Sequence, residues 1–159
     1  MILFQKLWKN HPTISGEDDL LDHSAYPNQC AVKMHACLER SGISLKSFRG
    51  VRSWQKEKPR YAIRAQELAN WLARPGILPG IRVNKFGGKE VFEKINNKKG
   101  IIFFQNYWGP GHQGDHIDLW NGSRLTDWKS WARIHLYISW EGIWSDYRNS
   151  DAVWFWEVL

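Results

Sequence analysis

Up to about residue 100 the apolar residues recur three and four apart; beyond it they run together or alternate. The opening stretch places Leu3, Phe4, Leu7 and Trp8 on one side of a short amphipathic helix over residues 2–9, ended by Pro12. Residues 13–27, with SGEDD and the pair Tyr26-Pro27, read as loop. Asn28 then serves as an N-cap and Gly42 as a C-terminal stop, and QCAVKMHACLERS between them has helical periodicity. Residues 43–60 read as an irregular crossing with a short strand at most. A helix over 63–73 turns Ile63, Leu68, Trp71 and Leu72 inward before Pro75 and Gly76 end it, and a further helix follows over 88–96, closed by NNKKG.

The run IIFFQNYW, residues 101–108, is β-branched and aromatic and predicts a buried strand. HIDLW, residues 116–120, alternates and is followed by Asn121-Gly122, a strong hairpin signal. AVWFWEVL, residues 152–159, predicts a final strand, while 128–147 fits helix and strand equally. Helices first and strands later is the signature of an α+β fold, with N-terminal helices packed on an antiparallel sheet.

Length and composition narrow this picture. The 159 residues suit one domain, 1–159, with a core and a cleft. Hydrophobic and charged shares of 43% and 24% exclude intrinsic disorder and fibrous repeats. The chain carries 22 Lys and Arg against 16 Asp and Glu, a net charge of +6. Eleven Trp exceed what a core of this size requires, so some are expected on a surface or groove. A basic, Trp-rich face suits nucleic acid, an anionic membrane or a negatively charged cell-wall polymer. No apolar window reaches the roughly 18 residues of a membrane span. The start MILFQKLWKNHP does not read as a secretory signal, so the chain is expected to be made in the cytoplasm.

Cys30 is the third residue counted from Asn28, so its sulfur lies among unsatisfied N–H groups at the positive end of a helix, a setting that favours thiolate and suits a nucleophile. Cys30, Met34, Cys37, Leu38 and Ser41 share one helical face, with Lys33, Glu39 and Arg40 pointing away. The bland alternative makes Cys30 and Cys37 two small core residues. A disulfide between them would have to span roughly 10 Å of helix, beyond the reach of about 7 Å. Downstream, a two-residue turn at Asn121-Gly122 makes facing residue numbers sum to 243, which sets His116 against Asp127, with Cβ atoms about 4.5–5.5 Å apart. An imidazole so held can deprotonate a thiol and later protonate a leaving amine. Asp118, on the same strand face as His116, is the competing orienter; Asp127 is preferred, and a bulge would reverse the preference. His112, His116 and Asp118 would form a zinc site only with helical spacing, which a glycine-rich loop and a strand do not supply, so no metal and no cofactor is expected. Trp108, Gly114 and Asp115 are candidate substrate-binding residues on the wall of the cleft.

The segments NQCAVKMHACLERSGI, RYAIRAQELANWL, KGIIFF and GDHIDLWNGSRLTD, spanning residues 26–127 in order, resemble the fourth family of type VI secretion amidase effectors. The resemblance implies a small papain-like cysteine peptidase fold of the NlpC type. It implies Cys30 as nucleophile, His116 as base and Asp127, eleven residues on, as orienter. It implies cleavage of the γ-D-glutamyl–meso-diaminopimelate bond in peptidoglycan stem peptides, delivery by the type VI secretion machinery into the periplasm of a recipient Gram-negative cell, and a cognate immunity protein. No nucleic-acid partner is then expected. The Trp load and the 128–159 tail depart from the family pattern. The runner-up is a non-catalytic, Trp-rich basic module that binds cell-wall glycan or nucleic acid.

Overall fold

A computed structural model describes residues 2–87, 90–108, 114–127 and 152–159, with the side chains of 106–108 outside the description. Three helices come first: α1 (Phe4–Asn10), α2 (Cys30–Arg40) and α3 (Ala65–Leu72). Strand β1 (Val83–Gly87), the single turn α4 (Val91–Lys94) and strands β2 (Gly100–Trp108), β3 (Gly114–Trp120) and β4 (Ala152–Glu157) follow. The strands form an antiparallel sheet in the order β1-β4-β2-β3. Both faces are covered. Ile101, Phe103, Ile117, Leu119 and Trp156 pack with buried residues of α1, α2 and α3. Their alternates Ile102, Phe104, Trp120, Val153 and Phe155 pack with Val91 and Ile95 around α4. Period-two alternation thus feeds two cores, as a covered sheet requires.

Helix α2 is the central pillar. Seven of its residues, from Ala31 to Leu38 with Lys33 excepted, are buried. Its C-terminus closes with a Schellman motif: the Ile43 N–H donates to Leu38 O at 2.9 Å and the Gly42 N–H to Glu39 O at 3.0 Å. Gly42 takes φ +93°, which a residue with Cβ adopts only under strain. At the other end the N-cap is Gln29 rather than Asn28, and the Asn28 side chain instead accepts the Cys30 N–H at 3.3 Å. Cys30 is therefore the first helical residue. The buried Gln29 amide makes four bonds: Oε1 accepts from Leu20 N and Leu21 N, while Nε2 donates to Leu21 O and Tyr26 O. This staples the long 13–29 loop to the head of α2.

Three expectations need correction. The helix over 88–96 shrinks to Val91–Lys94, with residues 88 and 89 outside the description, and β1 precedes it unannounced. As an edge strand with no fully buried residue, β1 carries no apolar alternation to read. In α1, Leu3 is exposed and lies ahead of the helix, whose buried anchors are Phe4 and Leu7. The hairpin turn after β3 is wider than two residues: Trp120 bridges to Leu125, and the Asn121 N–H donates to Arg124 O at 3.1 Å. The Asn121 side chain builds that wider turn by accepting from Ser123 N and Arg124 N. Among the six tryptophans whose side chains are described, Trp54 is exposed, as expected of part of the surplus, Trp8 and Trp154 are half-buried, and Trp71, Trp120 and Trp156 are core. The ambiguous segment 128–147 lies outside the described residues.

Candidate functional site

The first turn of α2 meets the edge strand β3 at a cavity of about 260 Å³. Cys30, His116 and Asp118 line it, together with His11, Thr126 and Asp127. Residues from α1, α2, β3 and the turn after β3 thus converge, although they span more than a hundred positions of sequence. The Cys30 sulfur lies 4.0 Å from the main-chain oxygen of Asp115. It also interacts with the His116 ring, whose pKa it helps to raise. The second ring contact is explicit: His116 Nε2 is 3.1 Å from Asp118 Oδ2. With Nε2 committed to the carboxylate, Nδ1 is the nitrogen left for the sulfur.

Asp118 is 2% exposed and is held by a ring of donors. Its Oδ1 accepts the Leu119 N–H at 2.7 Å and the Thr126 hydroxyl. Burial disfavours its charge, but these bonds and the neighbouring His116 and His11 keep the carboxyl below the usual range. His116 is the complement. Burial works against the charged ring, yet the bonds to Asp118 and Cys30 prevail and raise its pKa to about 10. The imidazolium is therefore the resident form at neutral pH. His11 behaves in the opposite way. It is 3% exposed, and burial pushes it down to about 4 despite the pull of Asp118. Its Nδ1 accepts the Thr13 N–H at 3.2 Å, so the neutral ring carries its proton on Nε2, 3.8 Å from Asp118 Oδ1.

A thiol, an imidazole and an anchored carboxylate in one cavity are the groups that acyl transfer through a thioester uses. The sequence model of the family Tae4, type VI secretion system (T6SS) amidase effector protein 4, matches residues 26–156. The chain belongs to this family. It is a type VI secretion amidase effector, a hydrolase. The Tae4 match takes in Cys30, His116, Asp118 and Asp127 but leaves out His11 and Asp19, which the fold brings to the same cavity.

Solved structures agree on the fold. The chain is 17% identical to the type VI effector Tae4 from Enterobacter cloacae, with a TM-score of 0.65 over 100% of this chain and 98% of that one. Against the Tae4–Tai4 effector–immunity complex from Enterobacter cloacae the values are 19%, 0.64, 100% and 99%. Against Tae4 from Salmonella typhimurium in complex with the immunity Tai4 from Enterobacter cloacae they are 18%, 0.60, 80% and 85%. The arrangement is the α+β, papain-like one of the NlpC type, helices on an antiparallel sheet. No curated protein matches by sequence.

Of the residues singled out from sequence, Cys30 and His116 line one cavity and interact there. Asp127 lines the same cavity, but the carboxylate at the His116 ring is Asp118. The reason is the wider turn. Pairing Trp120 with Leu125 shifts the register by two, so Asp127 no longer falls opposite His116. Asp115 reaches the sulfur through its main chain, and Gly114 pairs with Trp108 at the open end of the hairpin. The Trp108 side chain and His112, of the zinc alternative, lie outside the described residues. Cys37 is a core residue: fully buried, its thiol donates to Leu7 O at 3.1 Å, and burial raises its pKa to about 12. Lys33, expected to point away, lines the cavity with Cys30. Thr126 and His11 were missed altogether. A Thr beside the Asp of a predicted hairpin gave a weak signal; a His just past the end of a helix gave none.

Proposed function

We propose that this chain hydrolyses the γ-D-glutamyl–meso-diaminopimelate bond of peptidoglycan stem peptides by cysteine catalysis. The observation that supports it is the alignment of Cys30, His116 and Asp118 in one cavity of a chain that belongs to an amidase effector family. The sulfur of Cys30 attacks the γ-carbonyl carbon, and its proton resides on His116 Nδ1. The His116 imidazolium then gives that proton to the departing diaminopimelate amine as the C–N bond breaks, leaving a thioester on Cys30. Water, relieved of a proton by His116, attacks the thioester, frees the D-glutamyl γ-carboxylate and restores the thiol. Asp118 fixes the ring and the tautomer throughout, and Asp127 is a second carboxylate on the cavity wall.

The Cys30 N–H is a natural oxyanion donor, yet in the resting site it is engaged by Asn28 Oδ1, which must yield to the substrate oxygen. Gln29 is not available for this task, because both its amide protons are held by Leu21 O and Tyr26 O. Gly114 and Asp115, at the start of β3 where the Asp115 main chain approaches the sulfur, and Trp108, at the end of β2, are the candidate residues for contact with the stem peptide. Delivery into the periplasm of a rival Gram-negative cell and inhibition by a cognate immunity protein complete the reading. Tae4 effectors from Enterobacter cloacae and Salmonella typhimurium form complexes with Tai4 immunity proteins, which supports the last point. The test is digestion of purified sacculi followed by mass spectrometry of the released fragments. New D-glutamyl and diaminopimelate termini are expected from the native protein and none from Cys30→Ala; full activity in Cys30→Ala refutes the reading.

A further inference from the structure

We propose that Lys33 is a specificity-determining residue that binds the free α-carboxylate of the D-glutamyl unit whose γ-carbonyl is attacked. The proposal deepens the γ-glutamyl reading above and rests on it. A γ-linked glutamyl residue differs from an ordinary peptide residue in one respect that an enzyme can use. Three carbons from the scissile carbonyl it carries an unblocked carboxylate, where an α-linked chain carries an uncharged amide.

The cavity offers the matching cation. Lys33 follows Cys30 by three residues on α2, so the two side chains emerge on the same side of the helix, their Cβ atoms about 5–6 Å apart. Both line the cavity, and Lys33 is the only Lys or Arg among its described lining residues. The ammonium does not drift in solvent. Lys33 is 22% exposed, and its Nζ lies 3.4 Å from Asp19 Oδ1. Asp19 is fixed in turn, since its Oδ2 is 2.6 Å from His23 Nδ1. An ammonium has three protons to donate, and Asp19 Oδ1 occupies one direction, which leaves two for a ligand. Asp19 therefore acts as a positioning residue that holds the cation one helical turn from the sulfur. Of the neighbouring groups, Asp118 is engaged by His116, Leu119 and Thr126, and His11 is neutral.

The experiment uses the intact protein and two stem tetrapeptides that differ only at the D-glutamyl α-position, one a carboxylate and the other a carboxamide. Native protein is expected to favour the carboxylate by about tenfold or more in kcat/KM, mainly through KM, because a half-buried cation loses its partner in the carboxamide. Lys33→Met should lower kcat/KM on the carboxylate to the carboxamide level, and Lys33→Arg should keep the preference. Asp19→Asn should weaken the preference without erasing it. A structural role alone would depress both substrates together and would not move their ratio. Equal processing of the two by the native protein, or a preference that survives in Lys33→Met, overturns the proposal. Native protein that cleaves neither compound refutes the bond assignment itself, so the two failures are distinguishable.

Discussion

Asp118→Asn exchanges a carboxylate for an amide of nearly the same size at the point where the His116 ring is held. The bonds around it decide how the amide must sit. Leu119 N–H and the Thr126 hydroxyl both donate to Oδ1, so the amide oxygen takes that position. The NH2 group then occupies the place of Oδ2, 3.1 Å from His116 Nε2, and it can only donate. Nε2 must become an acceptor, which moves the ring proton to Nδ1, facing Cys30. That ring cannot take the thiol proton. The loss of the correct tautomer in a catalytic triad is worth about 10⁴ in turnover, or roughly 5 kcal/mol of transition-state stabilisation. We expect a fall in kcat of about 10³- to 10⁴-fold with the fold retained. Initial rates of fragment release from sacculi measure it. The same substitution removes a bond that raises the His116 pKa to about 10, so the alkaline limb expected near pH 10 for the native protein should move to lower pH. An Asp118→Asn protein within tenfold of native activity, or an Asp127→Asn protein that is more impaired, refutes the assignment of Asp118 as orienter.

Iodoacetamide should add one label to the native protein, at Cys30, and a second only after denaturation, because the Cys37 thiol is buried and raised to about 12; intact mass before and after unfolding reads this, and two labels on native protein would contradict it. His11 is depressed to about 4 from 6.5, so its contribution to stability is complete above pH 6.5 and is lost as pH falls towards 4. A separation of about 2.5 pH units corresponds to about 3 kcal/mol, and His11→Asn should flatten the decline in urea-unfolding free energy between pH 6.5 and 4.5; an unchanged slope sinks the assignment. Gly100→Ala should destabilise by about 1–3 kcal/mol in the same assay, since a Cβ there collides with the Trp156 carbonyl oxygen across the β2–β4 ladder, and a neutral substitution would show the strands are free to part.

Much of this architecture was legible locally. The apolar spacing of QCAVKMHACLERS and its closing Gly42 gave α2, and the β-branched run at 101–108 gave β2. These signals are strong because each element buries a face and the burial is written in its period. Strand β1 shows the converse. It pairs on one side only and buries nothing completely, so VNKFG has no period to detect. Lys33 was misplaced for a related reason. A helical wheel assigns a polar residue to solvent, but the N-terminal turn of α2 opens onto a cavity bounded by the 13–29 loop and β3, and a charged side chain is at home there.

The sequence by itself determined the three N-terminal helices and the three strands β2, β3 and β4, the cysteine at the head of a helix, and the histidine in a strand before a turn, because each depends on residues a few positions apart. Which carboxylate holds that histidine was decided only in three dimensions. A turn wider by two residues removed the pairing expected between Asp127 and His116, and Asp118 is the carboxylate bonded to the ring. The closure of α1 against β3 brought His11 to within 3.8 Å of the same carboxylate across more than a hundred residues. Hydrogen bonds fade within a few tenths of an ångström, so the partner is settled by how loops close and layers pack, and no periodicity along the chain records that.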